Sequence, residues 1–305
     1  MEMNYLVVGY GQIGQELVRQ LTERGDRVTV VKRSGMAQRR GVEVIQGDVQ
    51  EVLPELSSDR FDGVFNCMHA PYSAHAWRDV LIPREKQLLE WAGDVPVVFP
   101  ESVYAWGTGA QELKEGDPVE PASPLGEVRA QLLRNREACG GRTVSVVAAD
   151  LIGPTASLAG AVFHQLVFDR VMRGRRPLGM GDVRAPRSIT YIPDLVRGMM
   201  YAVEIAHDLP SVVHAPVLAP VSQVELARAF ARVASKSETS GVIQIPWTVM
   251  KVTGLFSQTF RELHNQRYLW DSPHVLHTGM LADLPVTSLD VALKECVLRR
   301  EKASL

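Results

Sequence analysis

The chain has 305 residues, 46% of them hydrophobic and 22% charged, enough to bury a large core as one big domain or as a core domain with a smaller partner. A formal net charge of −2 offers no general attraction to nucleic acid or to an anionic membrane surface. Cys67, Cys139 and Cys296 are too widely spaced for a disulfide framework or a C-x-x-C metal site, and no apolar run is long enough to span a bilayer.

The first element is the apolar run Tyr5–Val8. It leads into Gly9-Tyr10-Gly11-Gln12-Ile13-Gly14 and then into the helix-like stretch Gln15–Arg24. Strand, G-x-G-x-x-G and helix in that order form a dinucleotide fingerprint. Gly9 would make the tight turn, Gly11 would let the backbone approach a pyrophosphate, and Gly14 would let the helix pack on the sheet. The pyrophosphate would rest on free N–H groups at the positive end of the helix dipole. Charge and the glycine loop interrupt the first apolar run at once, so the sequence predicts no secretory signal and a cytoplasmic protein.

The second strand, from Gly25 to Val31, ends in Lys32-Arg33-Ser34. An NAD site usually has Asp or Glu here for the ribose 2′-hydroxyl. This chain has no acid there. Lys32 and Arg33 offer positive charge and Ser34 a hydroxyl, which suits a 2′-phosphate and predicts NADP(H) over NAD(H). A solvated strand end would carry the same residues. The third strand, Val42–Ile45, is followed by Asp48, which could accept from an adenine amino group or cap the next turn.

Further strands are expected at Gly63–Asn66, Val95–Phe99 and Thr143–Ala148, with helices over Ala74–Trp91 and Gly126–Ala138. This alternation predicts a parallel sheet with right-handed crossovers and helices on both faces. Ligands of such sheets lie at the carboxyl ends of the strands. That singles out Met68-His69-Ala70, Pro100–Tyr104 and Asp150–Pro154. Cys67, at a strand end, is the one cysteine placed to matter. His69 could be a general acid or a satisfied loop histidine. Neither it nor His75 has a metal-ligand context.

After Pro154 the pattern changes. An amphipathic helix is expected over Leu158–Arg173, then a glycine-rich connector to Gly181, a strand at Ser188–Ile192 and a helix from Pro193 to about Ile205. A further strand is expected at Val212–Ala215, then a helix Gln223–Ala234 capped by Ser222. From Trp247 the chain reads as helical and ends in a charged tail.

These residues resemble an extended short-chain dehydrogenase/reductase of the NAD-dependent epimerase/dehydratase type, over nearly the whole chain. Besides the glycine loop, the resemblance rests on Gly47-Asp48, Ser102-Val-Tyr104-Ala-Trp-Gly107, Asp150-Leu-Ile-Gly153-Pro154 and Tyr191-Ile-Pro-Asp194-Leu. It implies an α/β protein: a Rossmann-like doubly wound parallel sheet with a smaller, mainly helical C-terminal substrate domain. The dinucleotide-binding domain would be 1–154, with 188–215 returning to it; 155–187 and 216–305 would form the substrate domain. The resemblance also places Met68, His69 and Ala70 beside the cofactor and implies a homodimer through the two long helices.

The chain departs from the family at its catalytic pair, Tyr-x-x-x-Lys. The matching positions are Leu125 and Arg129 in Pro121-Ala-Ser-Pro124-Leu125-Gly-Glu-Val-Arg129. Leucine cannot donate a proton; Arg129 can bind ribose hydroxyls but cannot become a neutral amine. The family's catalytic Ser or Thr is replaced by Pro100 or Glu101. Tyr104, Ser102 and Asp150 are the candidate replacements, each with a structural alternative: Tyr104 bonding the loop backbone, Ser102 or Glu101 capping the turn, Asp150 bonding near Gly153. Arg184 and Arg187 lie where sugar-nucleotide members hold a substrate phosphate, though a solvated loop explains them equally well. His264, His274 and His277 fall where a substrate domain would face the cleft. The expected function is NADP(H)-dependent oxidoreduction of a small carbonyl, hydroxyl or sugar-like metabolite. The alternatives are a non-catalytic NADP(H)-binding sensor or scaffold, and an epimerase or dehydratase that retains its cofactor. No metal, nucleic acid or membrane is expected as a partner.

Overall fold

A computed structural model describes residues 2–35, 40–158, 160–236 and 241–303, with residues 301–303 described in their backbone alone. Ala159 of the expected 158–173 helix and the end of the charged tail lie outside the described residues.

Seven parallel strands form the central sheet: β1 (Asn4–Val8), β2 (Arg27–Lys32), β3 (Val42–Gln46), β4 (Gly63–Asn66), β5 (Val97–Ser102), β6 (Thr143–Ala148) and, later in the chain, β9 (Val212–His214). Their order across the sheet is β9-β6-β5-β4-β1-β2-β3. Between β6 and β9 run β7 (Asp150–Ile152) and β8 (Arg187–Tyr191); β10 (Leu218–Val221) follows β9. These three make a second sheet in the order β10-β8-β7, with β8 parallel to β7 and antiparallel to β10.

Alternation along β1 divides the core. Tyr5 and Val7 point to one face, where they meet Leu17, Val18 and Leu21 of helix α1 (Gln12–Arg24). Leu6 and Val8 point to the other, among Leu53, Phe61, Leu88 and Leu89. Leu88 and Leu89 lie on α2 (Ile82–Ala92). Strands buried on both faces read as unbroken apolar runs, which is why Tyr5–Val8 was visible in the sequence. The first face is completed by α4 (Ile192–Glu204), which follows α3 (Pro124–Ala138) in the chain. α4 packs so closely on β4 that a Cβ on Gly63 would lie 2.4 Å from Val203 Cγ2.

The structure departs from the sequence reading in several places. β5 runs on through Pro100 to Ser102 instead of ending at Phe99. β4 pairs only with Val97 and Val98, so past them β5 has β6 alone beside it, and the missing N–H of Pro100 costs no ladder bond on the open side. Within 158–173 the helix is irregular, with a π turn at His164–Phe168 before Asp169–Met172. The helical C-terminal region is broken into α6 (Gln258–Asn265), preceded by Trp247–Thr253, and α7 (Leu289–Ala303). α5 (Gln223–Val233) starts in a full capping box, Ser222 with Glu225.

Buried histidines make the fold acid-sensitive, His164 and His274 among them. Burial holds His164 down to about 3 and His274 to about 4, the charges of Arg300 and Arg187 respectively adding to the effect. Both are buried and neutral in the folded chain, whereas in the unfolded chain they titrate near 6.5. Below that pH the unfolded state binds more protons, so stability is complete above about 6.5 and falls as pH drops toward 4. Urea midpoints measured from pH 7.5 to 4.5 should fall, and the slope should be shallower in His274→Phe. A midpoint independent of pH in the wild type would refute the assignment.

Candidate active site

At the end of β1 the backbone is shaped for close approach by a ligand. Gly9 has φ 95°, and a Cβ there would lie 2.7 Å from the carbonyl oxygen of Cys67. A Cβ on Gly14 would lie 2.1 Å from the carbonyl oxygen of Gly9, so both positions require glycine. By contrast, nothing lies within 4 Å of an ideal Cβ on Gly11. Gly11 is the N-cap of α1 and no side chain caps the helix there. The first N–H groups, those of Gln12, Ile13 and Gly14, therefore face the space above Gly11 as an anion cradle. The loop is tied across the molecule by the Gln12 side chain, which donates to Gly160 O at 3.2 Å and accepts from Ser157 N–H at 3.2 Å.

Beside this cradle, Lys32 Nζ lies 4.7 Å from the centre of the Tyr10 ring and donates to Gly35 O. Arg33 and Ser34 are exposed. Asp48 caps the Val49–Val52 turn by accepting from Gln50 N–H at 3.1 Å. Arg84 of α2 also bonds it, Nε to Oδ1 at 3.2 Å, and holds the carboxyl below its ordinary value.

The ends of β4 and β5 meet around aromatic rings. Met68 N–H donates to Asn66 Oδ1, and exposed His69 has its Nδ1 2.6 Å from Ala70 O and its ring edge-on to Trp77. The Tyr72 hydroxyl donates to the Tyr104 hydroxyl at 3.1 Å. The Tyr104 ring lies nearly parallel to Trp77, and the Arg129 guanidinium sits 4.3 Å from the Trp77 ring centre. Burial pushes the Tyr104 phenol up to about 12. The Tyr72 hydrogen bond and the Arg129 charge oppose that shift, and the Asp150 charge adds to it. Leu125 is fully buried against Trp77, Val128 and Leu132.

The remaining charged candidates are engaged. Glu101 Oε1 accepts from Ser102 N–H at 2.7 Å and lies 3.4 Å from Arg129 Nη1, while Oε2 accepts from Arg136 at 2.7 Å. Asp150 Oδ2 is 2.9 Å from Arg187 Nη2. Arg187 is buried, donates to Leu269 O and lies 4.0 Å from the Trp270 ring centre, so its guanidinium is used internally; Arg184 is exposed. Of the later histidines, His264 lies beside Arg267, His274 is buried, and His277 Nε2 is 3.2 Å from Glu112. A cavity of about 350 Å³ opens between Ala122 and Pro124 at the start of α3 and Asn265, Arg267 and Tyr268. Gly126, two residues beyond Pro124, packs on the Tyr104 turn, where a Cβ would lie 2.4 Å from Tyr104 O.

The structure thus brings the glycine loop, Met68–Ala70, Ser102, Tyr104 and Asp150 to the carboxyl ends of the strands. Sequence reasoning missed Tyr72 and Trp77. The cue was the aromatic pair in Tyr72-Ser-Ala-His-Ala-Trp77, one residue of it just after a strand end. Among the described residues, no group of three His, Cys, Asp or Glu side chains could hold a metal ion, and no helix is long and apolar enough to cross a membrane.

Sheet order, glycine loop and site position define a dinucleotide-binding α/β protein of the Rossmann class. The profile of the NAD dependent epimerase/dehydratase family matches residues 5–213, and the chain belongs to that family. Among solved structures it is similar to the Bordetella bronchiseptica enzyme WbmH in complex with NAD+, at 15% identity and TM-score 0.78 with both chains covered in full. It is also similar to a UDP-N-acetylglucosamine 4-epimerase from Methanobrevibacter ruminantium, at 17% identity and TM-score 0.77, with 99% of each chain covered. A UDP-glucuronic acid 4-epimerase from Bacillus cereus in complex with NAD superposes at TM-score 0.75 and 17% identity, covering 98% of this chain and 99% of that one. At such identities the likeness is one of fold. No curated protein sequence matches the chain.

Proposed function

We propose that the protein is an NADP(H)-dependent oxidoreductase acting on a small carbonyl, hydroxyl or sugar-like metabolite, with Tyr104 as its proton donor. The observation that carries this reading is the Tyr72–Tyr104 hydroxyl pair at the carboxyl end of β5. None of the seven tyrosines stands four residues before a lysine, and Leu125 is buried. The phenol pair therefore takes the place of the family's Tyr-x-x-x-Lys.

The cradle above Gly11 fits a pyrophosphate, and the nicotinamide, when bound, supplies hydride exchange. The chain's own part is to bind and to move a proton. Gln12, Ile13 and Gly14 offer backbone N–H groups to the phosphates. Lys32 and Arg33, with Ser34, receive a 2′-phosphate. Met68, His69 and Ala70 line the path between the two strand ends, and Arg129 keeps a fixed positive charge behind Tyr104. Tyr104 donates its proton to the substrate oxygen, and the Tyr72 hydroxyl then bonds the phenolate left behind. Ser102 stands beside them as a further hydrogen-bonding group. Asp150 and Glu101, already paired with arginines, hold the frame.

The preference for NADP(H) rests on this chain's β2 end, whereas WbmH and the Bacillus cereus 4-epimerase were each seen with NAD. Calorimetric titration decides between them. NADPH is expected to bind at least tenfold tighter than NADH, a gap of about 1.4 kcal/mol. Replacing both Lys32 and Arg33 by alanine should remove most of that gap and leave NADH affinity nearly unchanged. Equal affinities in the wild type would sink the 2′-phosphate reading.

A non-catalytic sensor is the second reading, favoured by Glu101 and Asp150 both being tied up in ion pairs. It predicts tight NADPH binding without turnover on any carbonyl, and a partner whose affinity differs between the bound and empty protein. An epimerase or dehydratase would share the site but would not release the reduced cofactor between turnovers.

A further inference from the structure

The net charge of −2 conceals a segregated surface in the C-terminal part. Helix Trp247–Thr253 and α6 are joined by the turn Gly254–Ser257. Val249 is 48% exposed, Val252 60%, Leu255 72%, Phe256 90% and Phe260 41%. Val249, Val252 and Phe256 follow at spacings of three and four, so they form one outward stripe that ends at the turn. Isolated exposed apolar residues are ordinary, but five on one hairpin with the two most exposed at the tip mark an interaction site.

The exposed charges along the hairpin itself are of one sign. Lys251, Arg261 and Arg267 are exposed, and the only acid between residues 241 and 270 is Glu262, which is buried and accepts from Ala74 N–H. The next acid, Asp271, accepts from the Trp247 indole at 2.7 Å. An isologous dimer through this face would set the cations of one copy against those of the other. The tip side chains also protrude, as the exposure of Leu255 and Phe256 shows. They need a medium that accepts them, and a bilayer interface does so without a matching pocket.

The geometry points to peripheral docking of this hairpin on an anionic lipid surface, with Leu255 and Phe256 entering the headgroup region and Lys251 and Arg261 facing the lipid phosphates. The hairpin is anchored from beneath through Glu262 and through Gln258, which bonds Ser73 Oγ. It can therefore carry the whole protein to the surface, independently of any cofactor.

The test is co-sedimentation of the full-length protein with vesicles of phosphatidylcholine alone and of phosphatidylcholine with about a third phosphatidylserine, in about 0.1 M salt. The protein should pellet with the anionic vesicles and be released as salt is raised toward about 0.5 M, where screening shortens the charge interaction. Leu255→Ser with Phe256→Ser should lower the partition coefficient at least about tenfold, with an unchanged melting profile because both residues are exposed. Lys251→Gln should weaken anionic binding alone. No pelleting, equal pelleting with both vesicles, or binding that survives the double substitution overturns the proposal. So does a concentration-dependent dimer, abolished by the same substitution, in a protein that ignores vesicles. None of these outcomes depends on NADPH, so failure here leaves the oxidoreductase reading untouched, and the converse holds.

Discussion

Replacing Arg136 by methionine is expected to destabilise the protein by about 3–5 kcal/mol, the usual cost of leaving buried charges without their partner. The guanidinium is buried and bonds Glu85 in a two-point fork, Nε to Oε1 at 2.7 Å and Nη2 to Oε2 at 3.0 Å. Its Nη1 reaches Glu101 at 2.7 Å and Ser145 Oγ at 3.0 Å. It also lies 4.0 Å from the Phe99 ring centre. The methionine variant would keep two buried carboxylates and only the more distant Arg129 to answer them. Both must then take up a proton or draw in water. Thermal unfolding should show a loss on the order of 10 °C at pH 7. A second variant separates lost packing from stranded charge: adding Glu85→Leu and Glu101→Met should restore much of the loss. If the single variant melts within about 2 °C of the wild type, the network is not holding α2, α3 and β5 together as described.

Tyr104→Phe should lower kcat by about 10²–10⁴, the span for removing a general acid, while NADPH binding measured by calorimetry stays within about twofold. The substitution keeps the ring, its near-parallel contact with Trp77 and the packing of the loop, and removes only the hydroxyl that meets Tyr72. Tyr72→Phe leaves the acid in place but removes the bond that stabilises its phenolate, so its effect should be smaller. The pH dependence has a definite sign. With the phenol pushed up to about 12, it stays protonated through neutral pH. Carbonyl reduction should therefore be flat from pH 6 to 9, whereas alcohol oxidation, which needs the phenolate, should keep rising across that range. A Tyr104→Phe enzyme with wild-type turnover would remove the phenol from the mechanism and leave the sensor reading in front.

Local signals carried much of this structure. Gly9 and Gly14 each occupy a position where backbone would meet a Cβ, and both stood out because strand, loop and helix follow one another within 24 residues. Ser222 revealed a helix start, and the structure adds Glu225 as the other half of its capping box. What stayed hidden depends on residues far apart. Glu101 stood out as a turn residue with a hydroxyl to bond or a turn to cap. Its main partner, Arg136, lies 35 positions on, and Glu85 completes the pair from another helix. Asp150 showed its place at a strand end but not Arg187, 37 positions later. The short pairing of Glu112–Leu113 with Val275–Leu276 joins segments with no propensity signal of their own. Charge summed over the chain hid the hairpin for the same reason: a total carries no positions.

The packing of α4 sets a condition on how the protein can be made. The face of the sheet bearing Tyr5, Val7, Phe65, Val98, Val144 and Val146 is closed by Ile192, Leu195, Val196 and Met199. A nascent chain that has emerged only as far as Pro154 holds six strands of the sheet and the glycine loop, yet one side of its sheet lacks that cover. Such a species resembles the half-covered intermediates on which chaperones act and from which aggregates grow. Completion waits for about 50 further residues, a few seconds or more of translation at ordinary rates. A fragment cut at residue 154 should accordingly be insoluble, and one cut after β9 should be the shortest to stay in solution and keep the cofactor loop in shape.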